Sequence, residues 1–142
     1  MSQSSSRAVG VGRVLVAVYA VLALAATARS VLQLATRFEE APVAYTLSAF
    51  AGLIYIVATI ALVVPGRAWY LVAWVTISIE LAGVLIVGTL SLVDPELFPA
   101  ATVWSFFGMG YLFIPLVLPV LGMLWLTRTR PAPVADTPVG ED

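Results

Sequence analysis

The chain has 142 residues, of which 61% are hydrophobic and 11% charged, and its mean hydropathy is +1.03. Soluble domains run nearer to about 45–50% apolar, and the excess cannot be hidden inside one 15.1 kDa core, so lipid must solvate much of it. The net charge of −1 leaves no basic surface for nucleic acid. The absence of Cys and His removes disulfides, thiol chemistry, the usual zinc sites and His-ligated haem or copper, so no cofactor is expected.

Residues 1–10 are Ser-rich and polar at first, and they predict a disordered N-terminal tail. Arg7 and Arg13 then precede an apolar run that ends in Ala25-Ala26-Thr27-Ala28. That arrangement has the outline of a secretory leader. The apolar pattern continues past Arg29 through Val31, Leu32 and Leu34, however, so residues 11–34 predict a first span that is retained. Arg29 is either a snorkelling arginine near the outer headgroups or an ion-pair partner for Glu80. If both helices start near the inner surface, it lies about 10 Å further out than Glu80 at ~1.5 Å per residue.

Arg37, Glu39, Glu40 and Pro42 predict a solvated turn. The second span is expected over residues 45–64. Ser48, Gly52, Tyr55 and Thr59 recur there on one helical face. Small and hydroxylic residues let membrane helices approach one another, so this face should look into the bundle. Pro65-Gly66-Arg67 is a tight turn, and Trp69, Tyr70 and Trp74 follow it as an interfacial aromatic belt.

The third span, residues 70–92, carries one charge, Glu80, near its centre. An ionised acid at that depth costs about 2.5–3.5 kcal/mol on insertion scales, which makes it a functional candidate by default. Thr76, Glu80, Gly83 and Val87 share a face. Three readings compete for Glu80. It is a protonated or hydrogen-bonded structural acid satisfied by Thr76, Tyr55 or Tyr111; or it pairs with Arg29 or with a charge on a partner subunit; or it binds a proton, a cation or a cationic substrate in a transport cycle.

After the acidic loop Asp94–Ala101, a fourth span is expected over residues 103–126. Gly108, Tyr111, Pro115, Pro119 and Gly122 fall on one face. Pro115 and Pro119 should kink it by freeing carbonyls one turn earlier. Residues 129–142 predict a disordered, Pro-rich acidic tail.

Five arginines (7, 13, 67, 128 and 130) would share one side of the membrane and two (29 and 37) the other. The positive-inside rule then gives an all-α, integral-membrane four-helix bundle, up-down-up-down, with both termini cytoplasmic, in the cell (plasma or inner) membrane. No nucleophile–base pair, metal cluster or phosphate-binding loop is legible. Neither Asp94 with Glu96 nor Glu39 with Glu40 has a catalytic spacing. A non-enzymatic accessory or assembly subunit of a larger membrane complex is the leading expectation. Its partners would be the bilayer and another membrane protein. The alternative is a homo-oligomeric small carrier that uses Glu80 as its proton- or cation-coupling residue, and a third reading is a lipid-binding or membrane-stress protein.

Residues 32–38 (LQLATRF), 51–55 (AGLIY), 93–95 (VDP) and 104–111 (WSFFGMGY) resemble the small four-helix integral membrane proteins of actinobacteria, most of which are labelled uncharacterised. The resemblance covers roughly residues 8–128 and implies the architecture and no activity. The small multidrug-resistance transporters are four-helix proteins of similar length, but their essential glutamate lies in the first helix. Here the first helix carries Arg29 and the acid is in the third, which argues against that mechanism.

Overall fold

The computed structural model describes residues 2–130, with side chains from Val9 onward. The expected C-terminal tail lies almost wholly outside the described residues. Four α-helices make up the fold, the first three joined by short turns: α1 Ser2–Thr36, α2 Pro42–Val63, α3 Arg67–Val93 and α4 Ile114–Arg128. Single 3₁₀ turns at Phe38–Glu40 and Pro95–Leu97 fill two connections, and a longer turn segment, Ser105–Tyr111, precedes α4.

Three helical stretches are long and apolar enough to cross a membrane: Val9–Thr36, Pro42–Val63 and Arg67–Val93. At ~1.5 Å rise per residue the shortest of them is about 33 Å long, against a hydrocarbon core of about 30 Å. The chain is thus a multi-pass membrane protein. Most of its exposed large side chains are apolar, including Val14, Leu24, Leu53, Ile86 and Leu124, and they form the surface that lipid solvates.

α1 begins well before residue 11. It takes in residues 2–10, which the sequence reading assigned to a tail. Extending an existing helix adds one hydrogen bond per residue fixed and avoids the nucleation cost, so moderate helix formers such as Ser and Gln are readily carried along.

The expected continuous span over residues 103–126 is replaced by a bent pair, which by its geometry is a broken span or a re-entrant loop. Ser105–Tyr111 and α4 meet at 96°. α4 is only 15 residues, about 22 Å, and cannot reach across a bilayer by itself. The break also lies upstream of the prolines that were expected to make it. Pro115 opens α4 in its first turn, where its missing N–H costs nothing. Pro119 is the proline inside the helix and leaves the Pro115 carbonyl without its usual donor. The turn itself is made by left-handed residues: Phe106, Phe107 and Gly108, then Leu112 and Phe113, with φ between 51° and 81°. A Cβ on Gly108 would lie 2.7 Å from the Pro115 ring, so the chain folds back on itself at a distance only glycine permits.

The small-residue faces do turn inward. Ser48, Gly52 and Tyr55 of α2, Thr76, Glu80 and Val87 of α3, and Pro115, Pro119 and Gly122 of α4 are all buried. Close approaches stitch the helices together at these points. Gly52 abuts Thr27 of α1, Gly122 abuts Ile77 of α3, and Gly12 of α1 lies under Trp125. Tyr70 at the start of α3 donates to the Leu126 carbonyl at 2.6 Å.

Candidate functional site

Glu80 is fully buried at the centre of the helical core. Its partner is Tyr19 of α1, whose phenol O–H donates to Oε2 at 2.7 Å. Tyr19 is also fully buried, and its ring packs against Tyr55 of α2 with centroids 6.3 Å apart. Tyr55 in turn accepts the indole N–H of Trp104 at 2.7 Å, and the two rings meet edge to face at 6.5 Å. Four buried side chains from three helices and the loop before the broken span therefore form one chain: Glu80, Tyr19, Tyr55, Trp104.

Local sequence explains why they fit. Gly83 sits one turn beyond Glu80, and the six-membered ring of Trp104 occupies the space a Cβ would need, at 2.5–2.8 Å. Gly88 makes the same kind of room for Phe107. Trp104 is held from the backbone side as well. Thr102 Oγ1 accepts the Trp104 N–H at 3.1 Å, Ser105 Oγ accepts the Thr102 N–H at 2.8 Å, and Ser48 Oγ accepts the Val103 N–H at 3.3 Å. Aromatic rings with one polar tip suit this setting, since the body packs and the tip finds a partner.

Of the residues anticipated around the acid, Tyr55 alone belongs to this chain, and it stands one step removed. Thr76 is buried beside the carboxylate, but its hydroxyl turns back to the Val72 and Ala73 carbonyls at 2.9 and 3.1 Å. Thr59 does the same with the Tyr55 carbonyl at 2.6 Å. Both are the usual resolution for a hydroxyl inside an apolar helix. Tyr111 is half-buried in the turn before α4 and does not bond the carboxylate.

Arg29 is not brought to Glu80. It is exposed and lines a groove with Leu32, Gln33, Thr36 and Arg37 near the end of α1. Among the described residues Glu80 has no cationic partner, and its second oxygen, Oε1, is buried without a hydrogen bond. Pro115 and Pro119 are packed in the core and frame the broken span away from the acid's hydrogen bonds.

Tyr19 is the residue the sequence reading missed. The available signal was depth. Taking the expected span ends at residues 11, 64 and 70 as one membrane level, Tyr19, Tyr55 and Glu80 lie eight, nine and ten residues inward. They agree to within about 3 Å at ~1.5 Å per residue, whereas Arg29 is eight residues further out than Glu80.

Two open cavities lie elsewhere. One of about 160 Å³ sits at the Pro65 turn beside Tyr70, Trp125 and Thr129, and the Arg29 groove holds about 400 Å³. Neither is lined by Glu80 or Tyr19. Among the described residues no group of three Asp, Glu, His or Cys could hold a metal ion.

Compared with protein-family models, curated proteins and solved structures, the chain matches none of them. What stands from sequence and structure together is a small, all-α, multi-pass membrane protein with a buried carboxyl at its centre.

Proposed function

We propose that the protein is a non-enzymatic accessory or assembly subunit of a larger membrane complex, built as an up-down-up-down bundle with both termini in the cytoplasm. The observation that carries this reading is the closure around Glu80. The carboxyl is fully buried, bonded by Tyr19, and away from both open cavities. A coupling residue must exchange its ion with each side in turn, while a structural acid only needs a partner. The topology is supported by contacts that gather the ends of elements. Gly12, Tyr70, Trp125 and Leu126 meet at one end, where Arg13, Arg67 and Arg128 also cluster in sequence. The resemblance to small four-helix proteins of actinobacteria belongs with this reading.

The test is affinity isolation from native membranes in a mild detergent, followed by native sizing and mass spectrometry. Stoichiometric recovery of other membrane subunits is the expected result. A second reading has one observation in its favour, the unpartnered Oε1 of Glu80. It is a homo-oligomeric carrier in which that oxygen takes up a proton or cation. Recovery of the protein alone as a discrete oligomer, together with proton-linked flux that Glu80→Gln abolishes, would replace the first reading with this one.

A further inference from the structure

The end of α1 carries a second polar feature, independent of Glu80. Arg29, Gln33, Thr36 and Arg37 recur at helical spacing and, with Leu32, line a groove of about 400 Å³. Arg29 and Arg37 are exposed, and among the described residues neither guanidinium has an ion-pair partner. They stand about 12 Å apart along the axis, eight residues at ~1.5 Å each, one at either end of the groove. Between them Gln33 is half-buried, with its side-chain carbonyl oxygen closed to solvent, and the Thr36 hydroxyl donates to the Leu32 carbonyl at 2.6 Å. Leu32 and the adjacent Val31 are both more than 60% exposed and continue the apolar surface of the span.

Two unpaired guanidinia at the edge of a membrane span call for an anion, and the planar fork of arginine matches phosphate oxygens in pairs. We propose that this groove binds the phosphate ester of a glycerophospholipid. Arg29 and Arg37 hold the phosphate, and an acyl chain runs along Leu32 and Val31. The site does not depend on whether the protein is a subunit or a carrier.

The full chain, purified and delipidated in detergent, is titrated by native mass spectrometry with phosphatidylethanolamine, phosphatidylglycerol, phosphatidylcholine and glycerol 3-phosphate. All three phospholipids should bind, since each carries the phosphate ester, and phosphatidylglycerol, with its net negative charge, should bind most tightly. Arg29→Gln/Arg37→Gln should weaken phospholipid binding by at least about tenfold, the scale of one lost charge-assisted hydrogen bond. Arg67→Gln, at the other end of the bundle, should change nothing. Undiminished binding to the double arginine variant overturns the site. Displacement of lipid by equimolar glycerol 3-phosphate overturns the lipid assignment in favour of a soluble phosphate ester. If the double variant does not fold, Arg37→Gln at the exposed helix end decides the matter in the same two directions.

Discussion

Tyr19 and Glu80, 61 residues apart in the chain, form the buried hydrogen bond that joins the first helix to the third, at 2.7 Å. It resolves what would otherwise be the most costly residue of the spans. It also reaches across the core from α1, which packs mainly on α2, to α3. Intramembrane side-chain hydrogen bonds average about 0.6 kcal/mol and reach about 1.7. A bond to a carboxyl that otherwise has no partner belongs at the upper end. Tyr19→Phe should therefore cost about 1–2 kcal/mol, read as a lower melting temperature in detergent. Glu80→Gln retains an acceptor for the phenol and should cost less. Glu80→Leu orphans Tyr19, and adding Tyr19→Phe to it should recover stability, because removing both partners is milder than removing one. Equal melting of all four proteins would show that the bond contributes nothing.

Tyr55 and Trp104 make the second buried link, from α2 to the loop that leads into the broken span. Tyr55→Phe leaves the indole N–H without an acceptor and should destabilise by about 1 kcal/mol or more. In a Trp104→Phe background the same substitution has no N–H to orphan, so its effect should shrink. A double-mutant cycle should give a coupling of about 0.6 kcal/mol or more. Strict additivity would mean that the pair is held by packing alone.

Gly83 is the position where α3 yields to Trp104. A Cβ there would meet ring atoms at 2.5–2.8 Å, and the ring is fixed by Tyr55 on one side and by backbone bonds at Thr102 on the other. Gly83→Ala should cost about 1–3 kcal/mol by overpacking, despite the better helix propensity of alanine. Trp104 emission should shift as the indole is displaced, which is measurable in a variant with Trp69, Trp74 and Trp125 replaced by Phe. A gain in stability with unshifted emission would show that the ring moves aside freely. Gly10, with open space around it, is the control at which alanine should do no harm.

Much of this was legible beforehand because lipid enforces it. Long apolar runs between Arg, Pro and Gly punctuation gave helices at Pro42–Val63 and Arg67–Val93 close to their expected bounds. The periodic small and polar residues gave the inward faces. Glu80 stood out by cost alone. Its partner did not, because tyrosine in an apolar helix reads equally well as packing, and helical periodicity points instead to Thr76, Tyr55 and Tyr111. The broken span was illegible for a different reason. Two prolines spaced four apart announce a kink, but the bend is made by left-handed Phe106, Phe107, Leu112 and Phe113, residue types with no propensity for that conformation. Tertiary packing of Phe107 on Gly88 and of Pro115 on Gly108 imposes it.

That imposed conformation yields a prediction of its own. Leu112 has φ 58° and ψ 31° and is 83% exposed, so it is strained without being packed. The left-handed region costs an L-residue about 1–2 kcal/mol, a cost glycine does not incur. Glycine's greater freedom in the unfolded chain offsets about 0.5–1 kcal/mol of that gain. Leu112→Gly should therefore leave stability unchanged or raise it by up to about 1 kcal/mol. Leu121→Gly makes the same chemical change inside α4, where the side chain is half-exposed, and should lower stability by about 1 kcal/mol or more through lost helix propensity and lost packing. The opposite ordering of the two melting temperatures would show that Leu112 is not held in the left-handed region, and that the fourth span straightens toward a continuous helix.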